Sequence, residues 1–481
     1  MDGARSGWKV HSSVTGSEFM ADWKDWWKRH RRSVVRRRTV AGCLVVLTGL
    51  VAPWFPATGY SGEVTFPQAR PEELGMTLPS APPKAIEGMR VVVPGEGDKP
   101  TVARVYLQVG DYYVVTLPTG ALISLPIQDA TPTDRPFEPW DKKKLADHLI
   151  AGQFPGFQTR HTRRYLYVYN TSEEFRKATS QILETIYPAL HSYFRRLGIA
   201  VCDPEFPLVV VMFRTQEEFQ KYRQTPDGMV AYYNGLSNHV VMFEQSKLAQ
   251  VAPDLAFKQA VSTIAHEGVH QVLHNIGVQQ RLSRWPIWFS EGLAEYFAPT
   301  ELGKGVRWKG VGLVNDLRMH ELSEFYKARQ GQSTQGQLLS RAIEAQSLDS
   351  LGYATSWALI HYLAKFERKA FQDSLVDLAQ LQPLQSIPPG SLFAKHFSGN
   401  YPQKEEQLMA HLHSLPFVNP VLNQTHYVLM IADPRQVFVT SSPVDLQRLH
   451  KEHAKPGKFL IQAFPNRATA ELFSQNWLRR R

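Results

Sequence analysis

Residues 254–276 read DLAFKQAVSTIAHEGVHQVLHNI, and the spacing of this stretch decides the fold. Apolar side chains at Phe257, Val261, Ile264, Ala265, Val272, Leu273 and Ile276 recur with a helical period, with Asp254 placed to open the helix and Gly277 to end it. Inside it, His266-Glu267-Gly268-Val269-His270 puts two imidazoles four residues apart. On a helix these lie one above the other on the same face, so both can reach a single metal ion. The glutamate beside the first histidine is held close to a metal-bound water without being a ligand.

A third ligand is available a short way on. Trp285-Pro286 introduces a second helical stretch, WFSEGLAEYF at 288–297, in which Glu291 follows His270 with twenty residues between. That length accommodates a turn and a helix packed antiparallel to the first. It delivers one carboxylate and leaves the fourth position of a tetrahedral zinc to water, the open coordination expected of a catalytic site. Glu295 sits one helical turn beyond Glu291.

HEGVH followed by SEGLAEYF resembles the gluzincin arrangement of thermolysin-like and aminopeptidase-like metallopeptidases. Residues 161–380, with FRTQEEFQKY, HVVMF and WFSEGLAEYF, resemble a bacterial family of zincin-like domains of unknown function. The resemblance implies Zn²⁺ held by His266, His270 and Glu291, Glu267 as general base, and Glu295 as the carboxylate that orients a zinc histidine. It also implies that Tyr353, which opens YATSWALIHYL, donates a hydrogen bond to the oxyanion, and that HVVMF, 239–243, pairs with an extended substrate. The implied chemistry is hydrolysis of a peptide bond by zinc-activated water.

Two departures narrow the reading. The gap from His270 to Glu291 is longer than in the aminopeptidases, and no Gly-x-Met-Glu-Asn segment precedes the motif, which disfavours aminopeptidase activity. His274 continues the four-residue spacing, but Leu273 and Ile276 stand where the metzincin pattern has Gly and His, so His274 reads as a core or site-rim histidine. The expectation is a zinc endopeptidase acting on peptide or protein. The alternative is a catalytically silent zincin-fold protein that binds peptides or assembles partners at a membrane.

The rest of the chain sets the context. Of 481 residues, 43% are hydrophobic and 20% charged, which excludes a disordered or multi-span membrane protein. The net charge is +10, but residues 1–38 alone contribute ten basic against four acidic side chains, and Arg479, Arg480 and Arg481 close the chain. No basic groove remains elsewhere, so nucleic acid is not an expected partner. Two cysteines, Cys43 and Cys202, build neither a disulfide framework nor a cysteine zinc site.

Residues 40–55, VAGCLVVLTGLVAPWF, carry no charge. With the preceding arginines they read as a single-pass signal anchor over 39–56, with 1–38 cytoplasmic and the remainder outside the cytoplasm. Cleavage near Ala57-Thr58-Gly59, giving a secreted protein, is the alternative. Beyond the anchor, 57–84 is a Pro-rich linker, 85–132 a small β domain, 133–160 a connector and 161–385 the zincin-like domain. A helical linker at 386–420 and an α+β module at 421–481 complete an α+β chain.

Overall fold

The structure is a computed structural model that describes residues 71–479, apart from 73–74, 96–99, 227, 246–252, 300, 303–305, 309, 422–423, 433 and 454–458. The basic segment 1–38 and the expected anchor 39–56 lie outside the described residues. Within them the fold is mixed α+β, with thirteen α-helices and four sheets. Among the described residues no helix is long and apolar enough to cross a membrane.

A five-stranded sheet carries the motif helix. Its order is Ala231–Asn234, His239–Gln245, Leu208–Thr215, Tyr165–Tyr169 and Gln158–His161. The central three strands are parallel and the two outer ones antiparallel to their neighbours. Continuous apolar runs such as LVVVMF are what strands buried on both faces require. Leu166, Val168, Val209, Val211 and Val241 pack on one face with Leu145, Leu149 and Phe219 of two flanking helices, Lys142–Ala151 and Gln216–Tyr222. By the two-residue alternation, the equally buried Tyr167, Val210, Met212 and Val240 point the other way. There the helices Glu173–Arg196 and Pro253–Asn275 lie packed on each other.

Two expectations change here. HVVMF is not a free edge: Val240 and Val241 pair in parallel with Val210 and Val211 on one side, and with Tyr233 and Tyr232 on the other. Both of its hydrogen-bonding edges are used, so an added strand has no place on it. The edge is Ala231–Asn234, on the side of the motif helix. The motif helix itself starts at Pro253, so Asp254 falls within the first turn rather than at the cap. Proline is at home there because the first helical N–H has no intrahelical acceptor.

Gly268 of the motif is a packing residue. A Cβ there would run into Leu183 Cδ2, so glycine makes room for that side chain where the motif helix packs on Glu173–Arg196. Gly277, at φ 83°, ends the helix as its sequence position suggests.

A helical body follows. Ile287–Phe297 packs on Ser350–Phe366, and Asp316–Ala328 packs on the latter as well. Asp349 caps Ser350–Phe366, accepting from Gly352 N at 2.7 Å, so Tyr353 lies in its first turn. Gly292 is the contact point between the first two, because a Cβ there would stand 2.5 Å from Ser356 O.

Two further sheets complete the fold. The N-terminal one has six strands and meets the five-stranded sheet through a buried arginine. Arg281 Nη1 donates to Gly120 O at 2.6 Å, and its Nη2 donates to Gly235 O and Leu236 O at 2.6 and 2.7 Å. The carbonyls come from both sheets, so one guanidinium ties the 85–132 region to the turn behind the edge strand. The C-terminal sheet orders Arg435–Thr440, His426–Ala432 and Phe459–Phe464, with Pro443–His453 and Arg467–Arg479 as its helices.

Candidate metal centre

The motif helix and Ile287–Phe297 bring three ligating side chains to one point. His266 Nε2 lies 3.0 Å from Glu291 Oε2, His270 Nε2 lies 3.4 Å from the same oxygen, and the two Nε2 atoms are 3.2 Å apart. Donors on a tetrahedral zinc with bonds of roughly 2.0–2.1 Å are separated by about 3.4 Å, so this triangle has the edge lengths of one face of such a site. His266, His270 and Glu291 are all buried, and together they can hold a metal ion. Glu291 Oε1 and Glu267 Oε2 are buried yet make no hydrogen bond within the protein. Buried carboxylate oxygens without partners are costly, and a cation with its water would supply what they lack.

The electrostatics follow from the grouping. Burial alone would lower the His266 pKa, but hydrogen bonds to Glu291 and Glu295 outweigh it and raise the value to about 10. Burial opposes ionisation of Glu291, yet His270 and His266 hold it down at about 2. Glu267 behaves differently. Its carboxyl is pushed up by burial, with His266 and His270 pulling the other way. Two carboxylates on adjoining helices are thus driven apart in basicity, which suits one as an anionic ligand and the other as a proton carrier.

Glu295 stands behind His266, its Oε1 3.2 Å from Nδ1. Both of its oxygens are pinned: Asn315 Nδ2 donates to Oε2 at 2.8 Å and Arg318 Nη2 to Oε1 at 2.7 Å. Burial would raise its pKa, but Arg318 and His266 keep it below the usual carboxylate range. Tyr353 comes to the same site, its ring centroid 6.3 Å from that of His266. Burial pushes its hydroxyl well above the usual phenol value, so it is a proton donor across the physiological range.

His274 is not part of the cluster. It stacks on Tyr233 at 5.3 Å between centroids, and burial lowers its pKa to about 3, the state of a neutral packing histidine. Asn315 and Arg318 are the two residues that sequence reasoning passed over. The only trace of them in the sequence is that Asn315 is a good cap for Asp316–Ala328, and its Oδ1 does accept from Arg318 N at 3.2 Å.

Residues 260–385 match the model of a family described as protein of unknown function, DUF1570. The match covers the HEGVH part of the motif helix, Glu291, Glu295, Arg318 and Tyr353 together. No curated protein matches the chain.

Proposed function

We propose that this chain is a zinc-dependent metallopeptidase of the gluzincin type, acting as an endopeptidase on peptide or protein. The observation that carries the reading is the buried triangle of His266, His270 and Glu291 with the unpartnered Oε2 of Glu267 beside it. When bound, Zn²⁺ would polarise the scissile carbonyl and make water nucleophilic at neutral pH. His266, His270 and Glu291 would hold the ion, and Glu295 fixes the imidazole of His266 from behind. Glu267, its affinity for a proton raised by burial, takes the proton from water and passes it to the leaving amine. Tyr353 donates its hydroxyl hydrogen to the developing oxyanion.

Substrate enters this reading as a strand. Ala231–Asn234 is a sheet edge packed beside the motif helix, and an extended peptide laid along it gains main-chain hydrogen bonds while its carbonyl faces the metal. The segment 39–56 serves as the membrane anchor, with the catalytic region outside the cytoplasm. Hydrolysis of casein or a quenched peptide library by the purified chain, abolished by a chelator and restored by zinc, tests the activity. Stoichiometric zinc with no hydrolysis of either substrate would instead favour the peptide-binding or assembly role.

A further inference from the structure

Arg318 is not among the ligands, yet it touches side chains that support the site from two other helices. Its Nη2 holds the Glu295 oxygen that faces His266, at 2.7 Å. Its Nη1 donates to both oxygens of Glu321, at 3.1 and 3.0 Å. Glu321 in turn accepts from Ser350 Oγ at 2.6 Å, and Ser350 is the first residue of the helix that presents Tyr353. The guanidinium carbon also lies 5.2 Å from the centroid of the Tyr353 ring, within cation–π range.

We propose that Arg318 is a positioning residue that sets the Tyr353 hydroxyl relative to the metal, by bracing Glu295 behind His266 and the first turn of the Tyr353 helix with one planar fork. The inference rests on the metallopeptidase reading for its catalytic half and on the metal site alone for the other half. Glu295 and Tyr353 belong to different helices, Ile287–Phe297 and Ser350–Phe366, and the guanidinium contacts both side chains from a third, Asp316–Ala328. A rigid fork with donors at fixed angles can make the Glu295 and Glu321 contacts at once while its face lies on the ring. A lysine ammonium can neutralise Glu295 but cannot also stack.

The test compares the full chain with Arg318→Met, Arg318→Lys, Glu295→Gln and the Arg318→Met/Glu295→Gln double variant. Three properties are read: the zinc dissociation constant by chelator competition, the visible absorption of the Co²⁺-loaded protein, and kcat and KM on a quenched peptide. Arg318→Met is expected to weaken zinc by roughly 10–100-fold, as loss of a support behind a ligating histidine does, and to shift the Co²⁺ bands. The double variant is expected to bind zinc no more weakly than Glu295→Gln, because Arg318 acts on the metal through Glu295. Arg318→Lys is expected to recover most of the affinity but little of the kcat, with KM nearly unchanged, separating the metal-side brace from the Tyr353-side brace.

A folded Arg318→Met with zinc affinity within twofold of the parent, or zinc losses that add in the double variant, would overturn the metal-side role. Full kcat in Arg318→Lys would overturn the Tyr353-side role. A parent that binds zinc but hydrolyses nothing defeats the peptidase reading while the affinity comparison still decides Arg318; a parent that binds no zinc overturns both. Should Arg318→Met not fold, full kcat in Arg318→Lys and Glu321→Gln overturns the Tyr353-side role, and zinc affinity within twofold of the parent in Glu295→Gln overturns the metal-side role.

Discussion

Among the described residues two pairs of buried histidines meet, and they differ in what stands beside them. His266 and His270 have Nε2 atoms 3.2 Å apart, and His361 Nδ1 lies 2.9 Å from His411 Nε2. The first pair faces Glu291 and Glu295, and His266 rises to about 10. The second is supported by the Gly312 carbonyl, 3.2 Å from His361 Nε2, with Lys365 as the charge acting on both rings. Burial and that lysine lower His361, while burial, His361 and Lys365 together take His411 down to about 4. Paired imidazoles are therefore not enough to make a cation site. Carboxylates delivered by a neighbouring helix turn one pair into a place for positive charge, and their absence leaves the other a neutral hydrogen-bonded strut.

The comparison is sharpened most by Glu267→Gln. It leaves the ligands intact, so metal content should match the parent while chelator-sensitive hydrolysis falls by about 10³-fold, the scale of a general base. Activity within threefold of the parent would remove Glu267 from the chemistry. Gly292→Ala acts on the delivery of the carboxylate instead. The added methyl would meet Ser356 O at 2.5 Å and Ile360 at 2.8 Å, driving apart the two helices that hold Glu291 and Tyr353. A loss of about 3 kcal/mol in urea unfolding is expected, with weakened metal binding, and an unchanged unfolding midpoint would show that the contact is soft.

The smallest effect concerns the neutral pair. His361 and His411 have folded pKa values below the ordinary 6.5, so the unfolded chain binds their protons first as pH falls. Their contribution to stability is whole above about pH 6.5 and is lost as pH falls below it, for His411 toward about 4, with His239 and His274, lowered to about 4 and about 3, sharing the same limb. His411→Phe should reduce the stability lost between pH 7 and pH 4.5 by about 1 kcal/mol, measured by urea unfolding at the two pH values. An acid limb unchanged by that substitution would mean that His411 is not neutral through burial.

How much of this was legible in the sequence depends on how far each residue lies from its partners. His266, Glu267, His270, Glu291 and Glu295 sit on two helices at spacings fixed by the helical period, and the structure brings all five together. The stretch 421–481 reads as α+β in the sequence, and its described residues hold three strands and two helices. Asn315 and Arg318 were invisible because tertiary packing, not spacing, carries them to Glu295. The edge strand was misplaced for an instructive reason. HVVMF is strongly apolar because it is interior and paired on both sides, whereas Ala231–Asn234 is short, holds two tyrosines and ends in a turn at Asn234. The helix Lys142–Ala151 lay hidden in a stretch that reads as connector, because its Lys-rich start masks the three apolar positions that face the sheet.

The central claim is that the carboxylate of Glu291 completes a zinc site. The most direct test is the metal content, by elemental mass spectrometry, of the purified full chain beside its Glu291→Ala counterpart, with circular dichroism on both. The account predicts one tightly held zinc per chain in the parent, and loss or marked weakening of it in a variant whose helical signal persists. A folded parent that takes up no zinc when it is supplied, or a variant that keeps its zinc undiminished, would contradict it.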